Sequence, residues 1–206
     1  SAGYHSVSEV EVGKVVHGGL DFRKESDMEN MTSIQKKQKL IGKYLNIGNA
    51  GFRSIRNSEY VDKSGLIDFM NRCLNTPQKL ICVSRPRRFG KSFATKMLCA
   101  YYSRGCDSRD LFADLKIAEA ASFEQNLNQY DVIHLDIQWC MEPAGGPENV
   151  VSYITEKTIL ELRNYYPEIL PDSISSLPEA LSCINTATGQ KFVVIIDEWD
   201  VLIRDA

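Results

Sequence analysis

Lys79-Leu80-Ile81-Cys82-Val83-Ser84-Arg85-Pro86-Arg87-Arg88-Phe89-Gly90-Lys91-Ser92-Phe93 is the stretch whose reading decides the fold. Its first part, Leu80 to Val83, is a short apolar run bounded by polar residues and reads as a buried strand. Its last part, Gly90-Lys91-Ser92, opens a pattern in which Phe93, Met97, Leu98 and Tyr101 recur at helical spacing. A strand that turns sharply into a helix leaves the first helical N–H groups unpaired, and with the helix dipole they form a site for a di- or triphosphate. Gly90 lets the backbone approach the phosphates, Lys91 supplies a point charge to the β/γ oxygens, and the Ser92 hydroxyl is placed to ligate Mg²⁺. The full phosphate-loop pattern asks for glycine five residues before Gly90, where this chain has Arg85, and Pro86 has no N–H to offer. Arg87 and Arg88 supply guanidinium contacts in compensation, which makes the loop unusually basic.

A second stretch gives the first its meaning. Val193-Val194-Ile195-Ile196 is apolar and mostly β-branched, the pattern of a central parallel strand buried on both faces. Asp197 and Glu198 follow at its carboxyl end, where ligands of open α/β sheets bind. Asp197 would hold the Mg²⁺ shell and Glu198 would polarise an attacking water. Each stretch alone has a plainer reading: an ordinary strand-to-helix turn, and a core strand followed by solvated acids. In this order and context they point to a nucleotide site.

The rest of the chain bounds the class. Its 206 residues suit one domain with an arm, and the net charge of −3 argues against general nucleic-acid binding while leaving room for a local basic patch. Six cysteines, Cys73, Cys82, Cys99, Cys106, Cys140 and Cys183, form no C-x-x-C pair and several fall in apolar runs, so they read as reduced, buried thiols in a cytoplasmic protein and not as a disulfide frame or zinc site. No uninterrupted apolar segment approaches membrane-spanning length, which predicts a soluble protein without membrane contact. Residues 1–27 are rich in glycine and charge and read as a tag or mobile N-terminal arm, with Val7 to Val16 as a short strand and His5 and His17 as solvated side chains. Residues 28–206 read as the folded domain.

Along that domain, Thr32 or Ser33 caps a predicted helix through Tyr44, whose Lys36, Lys37, Lys39 and Lys43 make a solvated face or a nucleic-acid contact. Ile47 to Phe52 reads as a loop, Glu59 to Ser64 as a short strand, and Gly65 to Asn75 as a helix with Leu66, Phe69, Met70, Cys73 and Leu74 on its apolar face. Tyr130 to Trp139 is a second predicted strand, and its Asp136 either reaches the nucleotide site or is a core or edge residue. Glu142 to Pro147 is the clearest break, followed by a helix through Val151, Ile154, Thr158, Leu162 and Tyr165. Ser176 with Glu179 forms a capping-box pattern for a last helix that Gly189 closes.

Taken together, Tyr60-Val61-Asp62-Lys63-Ser64, the arginine-rich loop from Arg85 to Ser92, and Ile196-Asp197-Glu198-Trp199-Asp200 resemble the AAA-ATPase-like family, over about Ile47 to Arg204. The resemblance implies a P-loop NTPase, a three-layer α/β sandwich with a parallel sheet of the additional-strand (ASCE) type, here ending shortly after the Walker B strand. It implies ATP as ligand and Mg²⁺ as cofactor. Arg85, Arg87, Arg88, Phe89, Gly90, Lys91, Ser92 and Phe93 would then bind the nucleotide, with Ser92 and Asp197 holding the metal and Lys91 and Glu198 catalytic. Asp62 and Lys63 belong to the motif without an assigned role and are expected on the base side of the pocket. Relatives in the family often carry a PD-(D/E)XK nuclease-like domain, and this chain stops eight residues after Glu198. The expectation is therefore a fragment or shortened relative whose unpaired sheet edge invites self-association.

Three functions compete at this stage. The first is a slow Mg-dependent ATPase that regulates a protein partner or an attached domain. The second is a non-hydrolysing phosphate- or protein-binding scaffold. The third is a nucleic-acid-associated module using Arg85, Arg87, Arg88 and the lysine-rich helix.

Overall fold

The structure, a computed structural model, describes residues 42–83 and 90–204. In chain order these form α1 (Ala50–Arg56), α2 (Gly65–Cys73), α3 (Lys91–Tyr102), α4 (Arg109–Phe112), a 3₁₀ turn (Lys116–Glu119) and α5 (Phe123–Asn126). Then come β1 (Asp131–Asp136), α6 (Ile137–Ala144), α7 (Pro147–Tyr165), α8 (Leu177–Thr188), β2 (Phe192–Asp197) and α9 (Val201–Arg204). The architecture is mixed α/β with a small parallel sheet: β1 and β2 run side by side in the register Asp131↔Phe192 through Asp136↔Asp197. The other edge of β1 is met by residues 44–46, through an antiparallel bridge between Leu45 and Ile133. There the Asn46 N–H donates to Val132 O at 2.7 Å and the His134 N–H to Tyr44 O at 2.8 Å.

Alternation along the strands sends side chains to two cores. Val132, Val193 and Ile195 join Phe52, Met97, Leu98, Tyr101, Tyr102 and Phe112 on one side, where α1 and α3 pack. Ile133 and Leu135 join Ile154, Leu162, Ala180 and Ile184 of α7 and α8 on the other. Side chains two apart on a strand share a face, so this division is the direct consequence of the pleat. The amino end of β1 is tied down by a polar knot. The fully buried Asp131 accepts from Asn46 Nδ2 at 2.6 Å and Arg104 Nε at 2.5 Å, and from the Tyr166 hydroxyl, while Arg104 also reaches Gln190 Oε1 at 3.1 Å. This satisfies a carboxylate that would be costly to bury alone. A second anchor is Glu161 of α7, whose carboxylate accepts the N–H groups of Lys43, Tyr44 and Leu45.

Several sequence expectations are corrected here. Leu80 to Val83 forms no strand among the described residues, and Leu80 is 90% exposed. The apolar run lines a cleft of about 1840 Å³ whose other lining includes Val193 to Ile196, so the run and β2 do not pair. For the same reason β2 is not buried on both faces: its second edge has no strand partner among the described residues, and Val194 and Ile196 are 44% and 52% exposed. The sheet therefore has two strands there and not three. Glu59 to Ser64 is irregular and not a strand, Gly51 and Phe52 lie in α1 and not in a loop, and β1 ends at Asp136 because that residue caps α6. The Asp136 carboxylate accepts the Trp139 N–H at 3.2 Å, which starts a helix where strand was expected. The break stands at Gly145 and Gly146, both with positive φ, and Pro147 opens α7. In α2 the fully buried residue is Ile67, whereas Phe69 is exposed. Ser176 does precede α8 and Gly189 closes it, although the Ser176 side chain makes no capping bond.

Residues 1–41 and 84–89 lie outside the described residues, so the N-terminal arm, Lys36, Lys37, Lys39, His5, His17, Arg85, Arg87, Arg88 and Phe89 receive no structural account. All six cysteines are free; Cys99 and Cys140 are buried, whereas Cys82 is exposed because the run that carries it forms no strand, and burial pushes the Cys99 thiol well above its ordinary range. No helix among the described residues is long and apolar enough to cross a membrane.

Candidate functional site

The N-terminus of α3 and the carboxyl end of β2 converge. Gly90 is the residue before α3 and adopts φ +76°, ψ +34°, a left-handed conformation open to glycine at little cost. Its carbonyl accepts the Ala94 N–H at 3.1 Å, so the helix begins directly behind it and its first N–H groups face outward. The helix is held rigidly because Met97, Leu98, Tyr101 and Tyr102 are buried in the core that backs the sheet, and α3 packs on both strands. Ser92 and Phe93 are left exposed at the first turn. Phe93, the first residue of the helical apolar pattern, is exposed and does not share the burial of Met97, Leu98 and Tyr101.

The acids stand opposite. Asp197 is buried, and its two carboxylate oxygens bind to different elements: Oδ2 accepts from Thr95 Oγ1 at 3.1 Å, and Oδ1 from the Glu198 N–H at 3.0 Å. Thr95 thus joins α3 to β2 across the site. Glu198 is half-buried with φ +52°, an uncommon conformation for a residue with a long side chain. Lys91 Nζ lies 4.0 Å from Asp200 Oδ1, at the outer limit of an ion pair. Lys63 approaches from the other side: a Cβ added to Gly90 would stand 2.6 Å from the Lys63 ammonium. Asp136 ends β1 in register with Asp197 and is engaged as the cap of α6; it is not among the residues that line the cleft.

Of the candidate residues, Gly90, Lys91, Asp197 and Glu198 line the large cleft, Ser92 is exposed beside them on the first turn of α3, and Phe93 lines a smaller adjoining pocket. Thr95 and Asp200 had not been singled out as site residues, and Lys63 was expected on the base side of the pocket without an assigned role. Thr95 had a signal in its favour, since it sits three residues after Ser92 on the same side of a helix. The positions of Lys63 and Asp200 depend on tertiary contacts that no local spacing reveals.

Two electrostatic features follow. Burial would raise the Asp62 carboxyl, but the N–H groups of Lys116 and Ser64 outweigh it and hold Asp62 below the usual carboxylate range. Burial lowers His134, which pairs with Ile195; Asp197 and Asp136 oppose that shift and Lys96 adds to it. Among the described residues, no three of His, Cys, Asp and Glu gather into a metal cage. Magnesium asks for less than that, because it keeps several waters and takes one or two carboxylates with phosphate oxygens. A carboxylate has about four lone-pair sites, and the contacts to Thr95 and Glu198 leave Asp197 with acceptor capacity. An exposed Ser92 hydroxyl and a partly engaged Asp197 are hard oxygen donors that fit such an ion.

Neither a curated protein nor a solved structure matches the chain. A family model, described as a predicted AAA-ATPase, matches residues 46–206, a span that contains the whole of the site. The match covers well over half of the chain, and the chain belongs to the AAA-ATPase-like family, which indicates a nucleotide-binding, ATPase-like module.

Proposed function

We propose that this protein binds Mg-ATP at the N-terminus of α3 and hydrolyses it slowly, as a P-loop module of the additional-strand type that regulates a partner or an attached domain. The observation that carries the reading is the Thr95 to Asp197 hydrogen bond, which sets the start of a helix beginning Gly-Lys-Ser against the acidic end of a parallel strand. The outward N–H groups and helix dipole at Gly90 to Ser92 suit phosphate oxygens, and the Lys91 ammonium needs only to leave Asp200 to reach them. Arg85, Arg87, Arg88 and Phe89 complete the loop on this reading. Ser92 and Asp197 would hold Mg²⁺, which when bound neutralises charge on the phosphates. Glu198 orients a water and accepts its proton as the water oxygen bonds to the γ-phosphorus and the bridge to the β-phosphate breaks.

Calorimetric titration with ATP and Mg²⁺ tests the site. Saturable binding is expected in the natural protein and none in Lys91→Ala, whereas Glu198→Gln should retain binding and lose turnover. Absence of binding up to millimolar ATP would refute the proposal. The scaffold reading draws support from the second edge of β2, unpaired among the described residues, and from the exposure of Val194 and Ile196; under it Glu198→Gln would leave every measurable property unchanged.

A further inference from the structure

Thr95 touches both residues proposed to hold the metal. Its hydroxyl oxygen lies 3.0 Å from the Ser92 carbonyl oxygen, one turn back on α3, and 3.1 Å from Asp197 Oδ2 at the end of β2. We infer that Thr95 is a positioning residue for Mg²⁺: it aims the Asp197 carboxylate at the ion shared with Ser92, and so sets how strongly the ion adds to nucleotide binding. The inference rests on the phosphate and metal site proposed above and extends it to a side chain outside the proposed ligands.

Three features of the site support it. The first is that a single rotamer serves both contacts. Thr is β-branched and stiff at χ1, and in a helix its hydroxyl can turn back to the carbonyl three or four residues earlier. Here the same rotamer also delivers the oxygen to Asp197. A hydroxyl has one proton to donate, so the bond passes between Ser92 and Asp197 by rotation of the O–H alone. No heavy atom has to move for the site to be set.

The second feature is that the carboxylate is held at both oxygens. Thr95 donates to Oδ2 and the Glu198 N–H donates to Oδ1 at 3.0 Å, while each oxygen keeps acceptor capacity for an ion. The last torsion of an Asp side chain is broad, so a definite orientation needs donors of this kind. Without Thr95 the remaining donor is the next residue's own N–H, which moves with the end of the strand. Thr95 instead belongs to a helix whose Met97, Leu98, Tyr101 and Tyr102 are buried in the core.

The third feature is the choice between two acids. Asp136 and Asp197 end neighbouring parallel strands in register. Asp136 accepts the Trp139 N–H and caps α6, whereas Asp197 is bonded to the helix that begins Gly-Lys-Ser. Thr95 lines the large cleft together with Lys91 and Asp197, and Asp136 does not. The side chain that orients a metal ligand typically accounts for about 10–100-fold in metal affinity.

Calorimetric titration with ATP, once in EDTA and once in saturating Mg²⁺, gives the factor by which the ion tightens binding. Thr95→Val keeps the shape of the side chain and removes the hydroxyl; an unchanged melting temperature verifies the fold, and Thr95→Ala takes its place if it drops. In the hydroxyl-free variant the factor is expected to fall about tenfold or more, with ATP affinity in EDTA unchanged and with Thr95→Ser restoring the factor. An unchanged factor, an equal loss with and without Mg²⁺, or no recovery in Thr95→Ser would overturn the positioning role and leave the nucleotide site in place. A natural protein that binds ATP equally well in EDTA and in Mg²⁺ would overturn the metal assignment and this inference with it. One that binds no ATP in either condition would overturn the nucleotide site as well.

Discussion

Glu198 carries a measurable strain. Among the described residues four that are not glycine have positive φ, and three of them are Asn46, Asn75 and Asn128, whose side chains tolerate the left-handed region. Glu198 is the fourth, at +52°. An L-residue in this conformation costs roughly 1–2 kcal/mol, and such strain is characteristically kept where a side chain has to be aimed. The informative perturbation is a pair of variants, Glu198→Ala and Glu198→Gly. Both remove the carboxylate, so whatever that group contacts cancels in the comparison and the backbone is left. Glycine relieves the strain but adds about 0.4–1 kcal/mol of freedom to the unfolded chain. The balance favours the glycine variant by about 1 kcal/mol, or about 2–4 °C in melting temperature for a chain of this size. Thermal and urea unfolding followed by circular dichroism reads the difference directly. If the two variants unfold together, or alanine is the more stable, the strained conformation is not a property of the folded protein. Both should bind ATP and neither should turn it over.

Other outcomes follow from separate parts of the fold. Asp131→Ala strands Arg104, Tyr166 and Asn46 of the polar knot; removing one member of a buried charge pair should cost about 3 kcal/mol, or roughly 6–12 °C, with ATP binding at the opposite end of the sheet unchanged. His134 is held neutral by burial, so its folded pKa lies below the unfolded value of about 6.5 and the unfolded chain binds more protons under mildly acid conditions. Its contribution is complete above that value and is lost as pH falls through the folded pKa; urea midpoints measured from pH 7 to pH 5 should fall less in His134→Leu than in the natural protein. The open edge of β2 should drive self-association, and Val194→Lys with Ile196→Lys should suppress it in sedimentation velocity at rising protein concentration. A monomer at all concentrations in the natural protein would count against that expectation.

The parts that were legible in the sequence are those written in local chemistry. Gly90 before Lys91-Ser92, the helical spacing of Met97, Leu98 and Tyr101, and the β-branched run ending in Asp197-Glu198 each report a requirement of the residue's own neighbourhood, and the structure places them accordingly. Leu80 to Val83 has the same kind of apolar signature and fails to pair, because a strand is completed by a neighbour and periodicity cannot show whether the neighbour is there. The same gap leaves Val194 and Ile196 exposed in a run that reads as fully buried. Asp136 lay inside a strand expected to run through Trp139, whereas it ends the strand and caps the next helix, because its carboxylate accepts the Trp139 N–H. Thr95 had a local signal in its spacing from Ser92, but its partner did not: it meets Asp197 across 102 positions of sequence, a distance at which spacing carries no information.

Binding and hydrolysis draw on different parts of this architecture. Lys91 and Ser92, proposed to hold phosphate and metal, belong to α3, a helix whose next turns are buried in the core and which packs on both strands. Their placement is therefore set by core packing. The group proposed for hydrolysis follows β2, a strand paired on one edge among the described residues, and it is held by a strained backbone at the mouth of a cleft of about 1840 Å³. Whatever covers the free edge of β2 would fix where Glu198 points, and would do so without touching Gly90 or Lys91. A partner that adds to that edge would then raise turnover at unchanged nucleotide affinity, which is the form of coupling expected of a regulated ATPase and the reverse of what a partner acting on the phosphate loop would produce.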